Sequence, residues 1–170
     1  MDTVKKILVP TDFSHCSNEA IDYAATLAAQ LNAEILLVHV MELPVYPVDF
    51  TSADPLGFGE LKKKADEAME RAAAPWKGKG VTIENLFLKG DPASEIINAA
   101  SANECDLIVM GTHGRKGIAR VLIGSVTEQV IRSSTIPVLA VRVRREEEGG
   151  EGAPQRSQST LRALEGGAFS

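Results

Sequence analysis

The chain has 170 residues, of which 44% are hydrophobic and 24% charged, an average globular balance that speaks against wholesale disorder and is enough to bury one core without metals or disulfides. Its net charge of -5 and pI near 5.3 argue against a surface built to neutralise a nucleic-acid backbone. No apolar run reaches the ~18 residues of a membrane span and the first residues lack a signal-peptide pattern, so a soluble, cytoplasmic protein with no membrane partner is expected.

In chain order, the first strand is expected in "VKKILVP" and is followed by "TDFS". Ala20, Ile21, Ala24, Leu27, Ala28 and Leu31 then recur at spacings of three and four, which predicts a first helix with those residues along one face. Ser14 or Ser17 starts that helix. "AEILLVHVM" predicts the second strand, and its nearly continuous apolar run is that of a strand covered on both faces.

The connection from Glu42 to Phe58 carries three prolines and fits neither regular period. It reads as a lid or a plain surface excursion. A second helix is expected from about Gly59 to Trp76, then a strand in "VTIENLFL". Asp91 and Pro92 open a third helix as N-cap and first-turn residue. "CDLIVMG" gives the fourth strand. A fourth helix runs from Gly124 or Ser125 to about Ser134, and "IPVLAVRV" gives the last strand. Strands alternating with helices predict an α/β fold with a parallel sheet. Residues 1–144 form one domain, and residues 145–170, rich in Gly, Glu, Ser and Gln, are expected to be a flexible tail. Cys16 and Cys105 make no disulfide framework and no metal-ligand spacing, and both read as reduced thiols.

In such a sheet, ligands bind beyond the carboxyl ends of the strands, where the strand order reverses. Two segments would line that crevice: "VPTDFS" after the first strand and "GTHGRKGIARVLIGS" after the fourth. In the second, Gly111 and Gly114 are followed after nine residues by Gly124 and Ser125 at a helix start. Glycine permits close backbone approach, and the unpaired N–H groups of a helix N-terminus favour an anion, so this arrangement suits a polyphosphate. Arg115, Lys116 and Arg120 either add charge near the phosphates or form a solvated loop, and His113 is a possible phosphate donor. Asp12 either accepts from a ribose or a hydrated cation, or braces the turn. Val40, at the end of the second strand, either reads the edge of a base through its backbone or is simply core.

"KKILVPTDFS", "ILLVHV", "GDPASEIINAA", "CDLIVMGTHGRKG" and "IGSVTEQVIRSSTIPVLAVR" together resemble the universal stress protein family, over residues 3–143. The run GxxG, nine residues, then G with S or T is complete and resembles the ATP-binding branch. The resemblance implies an open five-stranded parallel sheet in the order 3-2-1-4-5 with helices on both faces, Rossmann-like and similar to the adenine nucleotide alpha hydrolases. It also implies a homodimer through the last strand, and ATP or another adenine nucleotide as cofactor, with Mg or Mn. Adenine would lie near Pro10, Asp12 and the Val40 backbone, and the ribose toward Asp12 and Gly111. The phosphates would lie along Gly114, Gly124, Ser125, Val126 and Thr127. Thr11, Met110, His113, Arg115 and Gly117 complete the candidate set. The implied role is a nucleotide-dependent regulatory protein of the stress response. A slow ATP hydrolase or phosphotransferase using a divalent metal, and a dimeric scaffold without nucleotide, are the alternatives. No protein partner is specified.

Overall fold

The computed structural model describes residues 3–42, 58–112 and 123–142. Five strands, β1 (Lys6–Pro10), β2 (Glu34–Met41), β3 (Ile83–Lys89), β4 (Leu107–Gly111) and β5 (Val138–Val141), form one parallel sheet in the order β3-β2-β1-β4-β5. They alternate with α1 (His15–Leu31), α2 (Phe58–Ala73), α3 (Pro92–Ala102) and α4 (Ser125–Ser133). The α/β class, strand order and doubly wound layout implied by the resemblance are those observed.

Strand periodicity divides the core in two. Ile7, Val9, Ile35, Leu37 and Val109 face α1 and α2, whereas Leu8, Leu36, Val38, Ile108 and Met110 face α3 and α4. Because β1, β2 and β4 lie inside the sheet, both sides of their pleat are apolar. Fully burying one such aliphatic side chain contributes ~2 kcal/mol.

Helix α1 meets the sheet through small residues: Ala20, Ala24, Ala25 and Ala28 are buried beside Ile21 and Ser17. Leu27 is only partly buried and Leu31 is 37% exposed, although both share the helical period of the buried residues. A short Cβ stripe lets the helix axis approach closely, and the leucines fall at the margin of that contact. Ser14 caps the helix start, and Asn32 closes its end in the left-handed conformation, with its N–H bonded to the Ala28 carbonyl. Helix α2 ends earlier than expected, at Ala73. Pro75 cannot continue the α-helical bonding, and Ala74–Trp76 form a 3-10 turn. At α3, Asp91 accepts from the Ser94 N–H and Pro92 occupies the first turn, as expected.

Asp106 ties the entry of β4 to that of β1, its Oδ2 accepting from the N–H groups of Lys5 (2.7 Å) and Lys6 (3.0 Å). The Lys5 N–H first, then that of Lys6, holds its carboxyl below the usual range. A depressed folded-state pKa contributes stability above the ordinary carboxylate range, and that stability disappears as pH falls through the depressed value. For this exposed group Asp106→Ala is expected to cost ~1 kcal/mol at neutral pH, with the gap to the parent closing in acid. Denaturant titrations at the two pH values check this, and a gap independent of pH would count against it.

Both cysteines are free; Cys105 is buried beside α3, and desolvation pushes its thiol up to about 11. Among the described residues no helix is long and apolar enough to cross a membrane.

Candidate functional site

Beyond β1 the chain turns to α1 on one face of the sheet, and beyond β4 it leads to α4 on the other. The crevice expected at such a reversal therefore lies between the carboxyl ends of β1 and β4. Pro10 helps to open it. The β1–β4 register runs through Leu8↔Ile108, and the next β1 donor toward β4 falls at Pro10, which has no N–H.

The β1–α1 turn forms one wall. The Thr11 N–H still donates to the Val38 carbonyl (2.8 Å), but its buried hydroxyl is engaged locally, accepting from the Phe13 N–H (3.0 Å) and lying 3.2 Å from the Ser17 hydroxyl. Asp12 Oδ1 accepts from the Ser14 N–H at 3.0 Å. Ser14 takes the cap of α1, but that does not release Asp12, which also braces the turn. Phe13 adopts φ 63, a left-handed conformation uncommon for an aromatic residue and of the sort concentrated at ligand sites.

The opposite wall joins β4 to α4. The Gly124 N–H donates to the Thr112 carbonyl (2.6 Å), and the Thr127 hydroxyl donates to the Gly111 carbonyl (2.8 Å). Gly111 is needed for close approach rather than for positive φ: a Cβ there would lie 2.7 Å from the Cys16 carbonyl oxygen. Gly124 is the N-cap of α4 and supplies no side-chain cap. The first bond of the helix is from Glu128 N–H to Gly124 O, at 2.9 Å, which leaves the N–H groups of Ser125, Val126 and Thr127 ahead of it without an intrahelical partner.

Of the candidate residues, Met110 and Thr127 are each 4% exposed and Thr11 5%, so these three side chains are buried. Pro10, Val40 and Gly111 lie at or next to the carboxyl ends of β1, β2 and β4, Asp12 lies in the turn after β1, and Gly124, Ser125 and Val126 lie at the start of α4. His113, Gly114, Arg115 and Gly117, with Lys116 and Arg120, lie outside the described residues, as do most of the 42–58 connection and the segment after Arg142. Sequence reasoning missed His39, whose Nδ1 lies 2.8 Å from the Thr11 carbonyl. Its one signal was a polar residue in the otherwise apolar run "ILLVHV".

Among the described residues no group of three His, Cys, Asp or Glu side chains is placed to hold a metal ion. A surface hollow of about 560 Å³ follows the charged face of α2 along Lys62, Asp66, Glu70 and Arg71. Its lining residues all belong to α2, and none of them is a candidate site residue.

The profile of the universal stress protein family matches residues 3–142. Universal stress protein MJ0531 of Methanocaldococcus jannaschii is 37% identical over 139 residues, covering 81% of this chain and 82% of that protein. The solved structure of UspA from Lactobacillus plantarum superposes with a TM-score of 0.73 at 26% identity, covering 84% of this chain and all of the other. A universal stress protein solved in complex with cAMP gives a TM-score of 0.60 at 29% identity, covering 83% of this chain and 98% of the other. Profile, sequence and fold agree: the chain belongs to the universal stress protein family.

Proposed function

We propose that this protein is a nucleotide-dependent regulatory protein of the stress response that binds ATP in the crevice between β1 and β4. The observation that carries this reading is the uncapped start of α4, whose three leading N–H groups precede the first intrahelical bond. A helix N-terminus of this sort suits phosphate oxygens. The residues fit an adenine nucleotide in three parts: the Val40 backbone for the base, Asp12 for the ribose, and Ser125, Val126 and Thr127 for the phosphates, with the Gly114 segment completing the cradle. Mg or Mn would accompany the polyphosphate as counter-charge. The related structure with cAMP supports an adenine nucleotide as the ligand class.

The working form is a homodimer that pairs β5 with β5. This strand pairs only with β4 in the described sheet, so its outer edge offers backbone donors and acceptors to a second copy. The cytoplasm is the compartment we assign.

Denaturing the purified protein and analysing the released small molecules by absorbance and mass, followed by titration of nucleotide-free protein with ATP and Mg²⁺, tests the reading. Co-purifying adenine nucleotide or saturable ATP binding is expected. A protein that releases none and binds none would be a scaffold instead. Single-turnover phosphate release then separates binding from hydrolysis: if Asp12→Ala weakens affinity without changing the rate, the role is regulatory.

A further inference from the structure

In a parallel ladder, a residue whose N–H donates to one neighbour also offers its carbonyl to the N–H two residues further along that neighbour. The Thr11 N–H donates to the Val38 carbonyl, so the Thr11 carbonyl is due to accept from the Val40 N–H. It accepts from His39 instead, at 2.8 Å. A carbonyl can only accept, so His39 Nδ1 carries the proton in this contact. The following rung is diverted as well: the Phe13 N–H, due at the Val40 carbonyl, goes to Thr11 Oγ1 at 3.0 Å. Among the described residues neither the N–H nor the carbonyl of Val40 then bonds to the β1 side. Val40 is half-buried and its side chain packs against the α3/α4 core, so this donor–acceptor pair opens onto the crevice.

His39 is held for this task. Its ring lies between those of Phe13, 4.5 Å away between centroids, and Phe87, at 5.9 Å. Phe13 is in turn fixed by its left-handed backbone and its bond to Thr11. The imidazole therefore substitutes for a backbone donor at the one rung where the ladder has to stop.

We propose that His39 is a positioning residue that ends the β1–β2 ladder early and so presents the Val40 N–H and carbonyl as the base-reading pair of the nucleotide site. The base-reading half rests on the ATP-binding reading above, whereas the ladder half is testable with no nucleotide present. A donor and an acceptor side by side match the ring nitrogen and the amino group on the Watson–Crick edge of adenine.

Two substitutions separate the donor from the ring. His39→Phe keeps an aromatic ring between Phe13 and Phe87 and removes the donor, and His39→Asn removes the ring but sets an amide N–H where Nδ1 was. Amide hydrogen exchange at Val40 in the nucleotide-free protein is expected to be fast in the parent and in His39→Asn. In His39→Phe it should slow at least ~10-fold, because the Thr11 carbonyl is then open to the Val40 N–H. The parent should bind ATP ~10-fold more tightly than purine riboside triphosphate, which lacks the amino group, the worth of about one hydrogen bond. That ratio should survive in His39→Asn and fall toward one in His39→Phe, with affinity for tripolyphosphate alike in all three. Should His39→Phe fail to fold, as judged by circular dichroism, His39→Leu takes its place. Equal Val40 exchange in the parent and a folded donor-less variant would overturn the proposal, and so would an unchanged nucleotide ratio alongside slowed exchange. A parent that binds neither nucleotide would instead defeat the ATP reading, and the exchange measurement would still decide the role of His39 in the ladder.

Discussion

Replacing Gly111 by alanine is expected to destabilise the protein by about 3 kcal/mol, through overpacking. A Cβ at this position would sit 2.7 Å from the carbonyl oxygen of Cys16 and 2.9 Å from its carbonyl carbon. Both are backbone atoms in the first turn of α1 and have no rotamer through which to escape. Relief requires moving the helix, and α1 rests on the sheet through Ala20, Ala24, Ala25 and Ala28, short side chains that cannot reach to fill the gap. Gly78→Ala is the control. Gly78 also cannot easily take a side chain, because its φ is 82, but nothing lies within 4 Å of its added Cβ, so only the backbone penalty of ~1 kcal/mol applies. Urea unfolding of the two variants provides the comparison. Equal losses would mean that α1 can move away from β4 at little cost.

Ser125→Pro is expected to weaken ATP binding by ~10-fold or more, the effect of losing one hydrogen bond to a charged group, while adenosine affinity and thermal stability change little. Proline is well tolerated as the first residue of a helix, where its missing N–H has no intrahelical partner. The residue before it, Gly124, has φ -68 and ψ 151, the extended conformation that a following proline requires. The substitution therefore removes one phosphate-facing donor without disturbing α4. Ser125→Ala, measured beside it, separates the hydroxyl from the N–H. If Ser125→Pro binds ATP as tightly as the parent, the phosphates do not lie at the start of α4. Together with the His39 variants this divides the site, since one substitution acts on the phosphate end and the other on the base end.

Much of the fold was legible locally. The doubled apolar faces of "ILLVHV" and "DLIVM" placed β2 and β4 inside the sheet, and Asp91 with Pro92 announced the start of α3 because capping is a matter of a few consecutive residues. The departures from the local pattern lay at margins. Leu31 fits the helical period but falls on the last turn of α1, where the sheet no longer covers it, and the second helix stops short because of Pro75. At the site, the start of α4 at the pair Gly124 and Ser125 was readable. The roles of Thr11 and Thr127 were not, because a hydroxyl in a loop looks the same whether it faces a ligand or a neighbouring backbone group.

By itself, the sequence determined the succession of strands and helices, which strands lie inside the sheet, and the presence of a helix start after a glycine-rich segment. These follow from periods and caps that act over a few residues. Only the tertiary structure decided that Gly111 is glycine because α1 passes against it, that Pro10 falls where β1 and β4 part, and that His39 takes the carbonyl due to Val40. Each depends on the register between strands or on the approach of a helix from a distant part of the chain. Such pairings arise when the sheet assembles, so the local pattern of residues has no means of recording them.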